Sequence, residues 1–504
     1  MSNHLLDAIR NAGRGDSVFM ELANRRTWTY RQVLSFSARL AHAISSLGVQ
    51  AGDRVAVQVE KSPEALILYL ACVRCGAVYL PLNTAYTLAE LEYFISDAEP
   101  RLVIVAPAAK GAVSAIAAVH GAIVETMDAD GGGSLIEIAN AKTEDFAEIY
   151  RGADDLAAIL YTSGTTGRSK GAMLTHGNLL SNALTLRDYW RFTSADRLIH
   201  ALPIFHTHGL FVATNVALLA GASMFLLPKF DPDEVLSLMP RSTVLMGVPT
   251  FYTRLLQNPR LDRDAAANMR LFVSGSAPLL AETHVDFRRR TGHAILERYG
   301  MTETNMNTSN PYDGERIAGT VGLPLPGVTV RVFDTATGEP LPVDETGMIE
   351  IKGPNVFKGY WRMPEKTAAE FTSDGFFITG DLGKIDERGY VHIVGRGKDL
   401  VISGGYNIYP KEVEGEIDQI EGVLESAVVG VPHPDLGEGV TAVVVRRPGA
   451  LVDEAAVLKA LAHRLARYKQ PKRVMFVDEL PRNTMGKVQK NVLREQYAGL
   501  FADG

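Results

Sequence analysis

The chain has 504 residues, more than a single hydrophobic core serves, so several subdomains are expected. Hydrophobic residues at 46% against 22% charged give the balance of a globular protein, and a formal net charge of -7 argues against a chain that coats nucleic acid or an acidic membrane. No run approaches the roughly 18 uninterrupted apolar residues of a membrane span. The N-terminus lacks the basic-then-apolar pattern of a secretion signal, and a cytoplasmic location is expected.

Taken in chain order, residues 26–110 alternate strand-like and helix-like patterns. Arg54-Val-Ala-Val-Gln-Val alternates as a strand, residues 62–77 read as a helix, and Val78-Tyr-Leu-Pro-Leu and Leu102-Val-Ile-Val-Ala read as short strands. The only two cysteines, Cys72 and Cys75, lie in that helix. Their C-x-x-C spacing fits redox or zinc chemistry, but a zinc site needs about four ligands and no second Cys/His cluster is visible, so ordinary helix packing is expected. Strand-like runs recur at 223–227, 243–248 and 270–274. The alternation predicts an α/β architecture with largely parallel sheets. After about Pro324 the pattern changes to strands separated by Gly/Pro/Asp turns, at 328–333, 347–352 and 389–395, which predicts a small β subdomain. From Gly397 onward a helix (410–419), two strands (426–431 and 439–445), a helix (453–467) and a strand (473–477) predict a compact α+β unit. The expected division is 1–397 and 398–504.

The densest chemical signal is Tyr161-Thr-Ser-Gly-Thr-Thr-Gly-Arg-Ser-Lys-Gly. It follows the apolar strand-like Leu156-Ala-Ala-Ile-Leu and precedes Thr175-His-Gly-Asn, a helix-start signal. Glycines, hydroxyls and a lysine packed this closely can wrap a polyphosphate. It is not the G-x-x-x-x-G-K-[ST] phosphate loop, because the sixth residue counted from Gly164 is Ser169, and Lys170 is followed by Gly171.

With Tyr299-Gly-Met-Thr-Glu-Thr, Thr379-Gly-Asp381, Gly395-Arg396-x-Lys398-Asp399 and Pro481-Arg-Asn-Thr-Met-Gly-Lys487 following in order, the chain resembles the adenylate-forming superfamily along essentially its whole length. Acyl-CoA synthetases, peptide-synthetase adenylation domains and beetle luciferases make up that group. The resemblance implies a large N-terminal domain of α/β subdomains with a small β subdomain, and a small mobile α+β C-terminal domain. It implies ATP, Mg²⁺ and coenzyme A as reactants. Bringing a carboxylate to an α-phosphate sets two negative groups together, so catalysis there is positioning plus cations. By resemblance, Thr162, Ser163, Gly164, Thr165, Thr166, Gly167 and Lys170 hold phosphates, Thr302 contacts the α-phosphate, and Glu303 holds Mg²⁺. Ser276, Ala277, Pro278, Glu297, Tyr299, Gly300 and Met301 frame the nucleotide, and Asp381 and Arg396 take the ribose. Lys487 bridges carboxylate and α-phosphate. The C-terminal domain turns about Lys398 to bring Ser403, Gly404, Gly405 and Tyr406 to the pantetheine arm. Lys487 is also a candidate target of a regulatory lysine acetyltransferase.

The acid is expected to meet His206, Ser276, Arg298 and Met306, in a pocket lined by Pro203-Ile-Phe-His-Thr-His-Gly and Met246-Gly-Val-Pro-Thr. Arg298 departs from the small residue common before Tyr-Gly in fatty- and aryl-acid members. A buried guanidinium needs a carboxylate, which is either Glu297 or a second carboxylate of the substrate. The run from Glu297 to Pro311, His206-Thr-His-Gly and Gly319-Thr-Val-Gly-Leu-Pro-Leu-Pro-Gly resemble malonyl-CoA synthetases, which implies malonate, with methylmalonate a poorer acid. The alternatives are a ligase for another short or aryl acid, an adenylation module that loads a carrier protein, and a non-enzymatic nucleotide-binding scaffold.

Overall fold

The computed structural model describes residues 3–13, 15–162, 169–335, 337–404, 406–483 and 486–502. The chain divides into two compact units, Met1–Thr329 with Ile351–Phe377, and Val330–Glu350 with Ile378–Gly504. By packing, the strands after Val330 and after Ile378 belong with the C-terminal segment. A packing boundary and a rotation hinge are different properties.

Two sheets organise the first unit. One runs Ile123–Thr126, Leu102–Val105, Arg54–Gln58, Val78–Pro81, Leu156–Thr162, Lys170–Thr175 across the sheet, parallel except for the last pair. The second has nine strands and a parallel centre formed by Leu296–Met301, Leu271–Ser274, Val244–Gly247, Arg197–His200 and Ser223–Leu226. Strands Leu102–Val105, Val78–Pro81, Val244–Gly247 and Leu271–Ser274 are buried along their whole length, which is why they read as continuous apolar runs. Helix Pro63–Cys75 is buried all round. It starts where Ser62 accepts a hydrogen bond from the Ala65 N–H and Pro63 occupies the first turn. Cys72 and Cys75 point into this core, and burial pushes the Cys75 thiol up to about 11, the setting of an inert packing thiol.

The second unit pairs Thr329–Phe333, Gly347–Lys352, Phe377–Ile385 and Val391–Arg396 in one sheet. A second sheet is built on the long antiparallel pair Val423–His433 and Gly437–Arg446; the free edge of Gly437–Arg446 takes Arg473–Val477 in parallel and, at its Gly437 end, the hairpin Val401–Ser403/Tyr406–Ile408. Helices Pro410–Ile417 and Glu454–Leu461 cover one face, closing a core of Val401, Ile408, Val413, Val428, Val444 and Leu461. The helix expected over 453–467 thus ends its regular part at Leu461.

Candidate active site

The central strands of the nine-stranded sheet are in register near their carboxyl ends, with Met246 opposite His200 and Val273, and Ser274 opposite Glu297. In an open parallel sheet, that edge is where ligands bind. The chain leaves the strands there as Ala201–Gly209, Val248–Thr250 and Gly275–Leu280, and one strand continues through Arg298. Ser276, a non-glycine residue, sits at φ 72°, a left-handed conformation of the kind held at functional sites.

Arg298 is buried, and its Nε and Nη2 have no hydrogen-bond partner among the described residues. The guanidinium lies over Gly275. A Cβ on that glycine would stand 2.3 Å from Cζ and 2.5 Å from Nε, so only glycine leaves room for this arginine. Burial lowers Arg298 to about 9, with Tyr252 and Glu297 acting the other way. Glu297 is not its salt-bridge partner. The two are consecutive on a strand and point to opposite faces, and the Glu297 carboxylate instead accepts the Leu279 N–H at 3.2 Å.

His208 is buried against this group. Its Nδ1 lies 3.3 Å from Ser276 Oγ, and burial, then Arg298, His200 and His206, push its pKa well below the usual histidine range. His206 is less buried, and its ring meets that of Phe205 at a tilt, with centroids 4.8 Å apart. Met306 is buried on the neighbouring strand opposite Gly300. The structure thus sets His208 beside Ser276, within electrostatic reach of Arg298 and His206, and places Met306 against Gly300. His208 was legible only as a pocket-lining residue.

The second cluster surrounds the hairpin Leu156–Thr162/Lys170–Thr175. Thr162 pairs with Lys170 across the base of the Gly/Thr segment, whose Ser163, Gly164, Thr165, Thr166 and Gly167 lie outside the described residues. Thr175 then caps helix His176–Tyr189 through Asn178, as its helix-start pattern predicts. Lys170 Nζ sits 3.1 Å from Glu370 Oε1 and 4.1 Å above the Tyr360 ring. The Tyr360 hydroxyl faces two carboxylates, at 2.5 Å from Glu370 Oε2 and 3.1 Å from Glu303 Oε1. Burial and those carboxylates push its pKa up, so it stays a donor. Thr162 Oγ1 is 3.5 Å from Glu303 Oε1, and Thr302 and Glu303 occupy the turn between strands Leu296–Met301 and Asn305–Ser309. Tyr299, Gly300 and Met301 end the first of these strands, partly exposed. Ala277 is partly exposed and Pro278 exposed. Tyr360 and Glu370 carried no local motif and were missed from sequence.

In the second unit, Asp381 and Arg396 are cross-strand neighbours, with Arg396 Nε 2.7 Å from a buried Asp381 Oδ1. Lys398 is exposed in the short 3₁₀ turn Gly397–Asp399, and Asp399 is paired to Arg494 at 2.5 Å. Ser403 is buried and Gly404 exposed at the hairpin tip; Gly405 lies outside the described residues. Tyr406 is exposed and stacks on Tyr468 at 4.6 Å. Lys487 is exposed, its backbone exchanging hydrogen bonds of 2.9 Å with Asn483.

The chain belongs to the AMP-binding enzyme family, whose main model matches residues 8–361 and whose C-terminal domain model matches residues 412–487. It is an AMP-forming acyl-CoA ligase that works through an acyl-adenylate. Among solved structures, the ATP-bound MatB from Rhodopseudomonas palustris is 65% identical, covering 99% of this chain and 100% of that one at a TM-score of 0.98. A feruloyl-CoA synthase of Amycolatopsis sp is 38% identical over 93% of this chain and 94% of its own length. A malonate–CoA ligase of Arabidopsis thaliana is 34% identical over 94% of this chain and 85% of its own length.

Proposed function

We propose that the enzyme is a malonate–CoA ligase. A malonate carboxylate oxygen attacks the α-phosphorus of ATP and pyrophosphate leaves; the thiol of CoA then attacks the acyl carbon and AMP leaves. Methylmalonate is a poorer acid. The observation that supports malonate is Arg298, a buried guanidinium with two N–H-bearing nitrogens unpartnered and no salt bridge among the described residues. Leaving such a charge unpaired is costly by several kcal/mol, about 3–5 when a partner is removed. A second carboxylate on the substrate supplies the partner, and the planar guanidinium suits it. Similarity to the Arabidopsis malonate–CoA ligase points the same way. A large apolar acid such as ferulate would leave the charge bare.

In this reading Arg298, His206, Ser276 and Met306 hold the acid, while Thr162, the Ser163–Gly167 segment, Lys170 and Thr302 hold the phosphates. Ser276–Pro278, Glu297 and Tyr299–Met301 frame the nucleotide, Asp381 and Arg396 the ribose. The oxygens of Glu303 and Thr162 fit Mg²⁺, which prefers one or two carboxylates plus substrate phosphates. When bound, Mg²⁺ would neutralise phosphate charge. Lys487 supplies a mobile cation for adenylation. Turning about Lys398 exchanges it for Ser403, Gly404, Gly405 and Tyr406, which pass the pantetheine arm.

The test is AMP release dependent on ATP, Mg²⁺ and CoA, with malonate, methylmalonate, propionate, octanoate and ferulate compared by kcat/KM. Malonate ranks first; a higher value for octanoate or ferulate rejects the proposal.

A further inference from the structure

Behind the acid-binding loop lies a pair that the reaction as described does not use. Lys61 is half-buried at the lead-in to helix Pro63–Cys75, with no carboxylate salt bridge among the described residues. Its Nζ lies 2.9 Å from His200 Nδ1, 2.8 Å from the His200 carbonyl and 2.8 Å from the Leu202 carbonyl. On the other side of the ring, His200 Nε2 lies 2.9 Å from the Gly209 carbonyl, which also accepts the Thr214 hydroxyl at 2.9 Å.

With His200 Nε2 donating to Gly209 rather than accepting from the Thr214 hydroxyl 3.3 Å away, a hydrogen count gives the charge of this pair. Three of the contacts end on carbonyls, which only accept, and the Lys61–His200 contact needs a hydrogen between two nitrogens. Four hydrogens are required. A neutral amine and a neutral imidazole supply three, so the pair carries one positive charge, as an ammonium beside a neutral ring or as an amine beside an imidazolium. Burial pushes both groups toward neutrality, and the ring of acceptors opposes that push.

The acceptors mark the two stems of one loop. Leu202 immediately precedes Pro203, and Gly209 follows His208; between them run Phe205, His206 and Thr207. The stems also touch directly, since a Cβ on Gly209 would stand 2.0 Å from the Pro203 carbonyl oxygen. His208 opens a π-helical turn, His208–Ala213, a rare conformation frequent at functional sites.

We propose that Lys61 is a positioning residue for acid binding: through His200 it clamps both stems of the 202–209 loop and thereby sets His206 and His208 against Arg298. This rests on the assignment of that loop to the acid in the proposed function. Two groups hydrogen-bonded to three backbone carbonyls and to each other are worth more together than apart, and removing either releases both stems.

The experiment uses the full-length enzyme and whichever acid the wild type prefers, with pyrophosphate release followed in the adenylation half-reaction. Lys61→Met and His200→Leu are expected to raise the KM for the acid about 10-fold or more, with the KM for ATP within about 2-fold of wild type. His200→Gln keeps an acceptor toward Lys61 and a donor toward Gly209, and is expected to stay within about 3-fold. The double variant should be no worse than the poorer single one. An unchanged acid KM in Lys61→Met, parallel rises in acid and ATP KM, or His200→Gln as impaired as His200→Leu each overturns the proposal. If Lys61→Met does not fold, the two His200 variants decide. A wild type that prefers a monocarboxylate defeats the malonate reading but leaves this test intact, because the clamp acts on the loop for any acid.

Discussion

Replacing Arg298 by alanine removes the group on which acid selectivity is expected to turn. Its Nε and Nη2 have no hydrogen-bond partner among the described residues, and the substrate's distal carboxylate would lose a charge-assisted contact worth about 1.5–3 kcal/mol. That corresponds to a fall of about 10- to 150-fold in kcat/KM for malonate. The wild type leaves a buried cation unpaired with propionate, and a site built that way discriminates by about 10⁴ or more. In Arg298→Ala the penalty disappears, so the malonate-to-propionate ratio should collapse while the KM for ATP changes little. Gly275→Ala offers a geometric cross-check. A methyl 2.3 Å from Cζ must displace the guanidinium without removing its charge, and malonate kcat/KM should again fall. The assay is steady-state AMP release with both acids at matched ATP and Mg²⁺. If Arg298→Ala keeps the wild-type ratio, the arginine is structural and the malonate assignment loses its main support.

Lys487→Ala is expected to stop adenylate formation but spare thioester formation from supplied acyl-AMP; equal loss in both half-reactions refutes its role. Lys398→Pro fixes φ near roughly −65° and removes an N–H, and should leave adenylation intact while slowing thioester formation, which a wild-type rate in single-turnover assays would contradict. Tyr360→Phe deprives Glu370 and Glu303 of a shared donor and should lower stability by about 1.5–3 kcal/mol in urea unfolding, with a higher KM for Mg-ATP. Burial raises Asp418 to about 7, so the folded protein prefers it protonated and loses stability as pH climbs from the unfolded value near 3.8 through 7. Asp418→Asn keeps the acceptor for Ser426 and should raise Tm at pH 8, the gain fading toward pH 4; a gain independent of pH would exclude this cause.

Much of the frame was legible because it rests on local rules. The Gly/Thr segment was placed between a strand and the capped helix at Thr175, and parallel strands showed as apolar runs. What was missed depends on tertiary packing or on interrupted patterns. Strand Phe377–Ile385, which carries Asp381, contains Gly380 and Gly383, and these break the apolar alternation. The apolar spacing beyond Leu461 ran on because Leu465 is still buried after the regular helix ends. Glu297 looked like a partner for Arg298 because neighbours in sequence are near in space, but strand pleating turns their side chains apart. Lys61 and His200 lie 139 positions apart, and no spacing rule joins them.

The acid site is marked less by any motif than by where polar groups are left wanting. Buried polar atoms are nearly always hydrogen-bonded, so each exception asks for a cause. Among the described residues, Thr207 Oγ1, His208 Nε2, Ser274 Oγ and two nitrogens of Arg298 are such exceptions. They lie in segments that leave, or continue, adjacent parallel strands at their carboxyl ends. Each unmade bond costs about 1–3 kcal/mol, so a fold that keeps several together is less stable than an apolar filling would make it. A ligand carrying oxygen acceptors removes that deficit on binding, whereas an alkyl or aryl tail of the same volume leaves it in place. Under the malonate proposal, the same local instability that argues against a purely structural role for Arg298 would be the source of its selectivity. Gly275 fits this view, since a side chain there would displace the guanidinium and with it the reason for the acid to carry a second carboxylate.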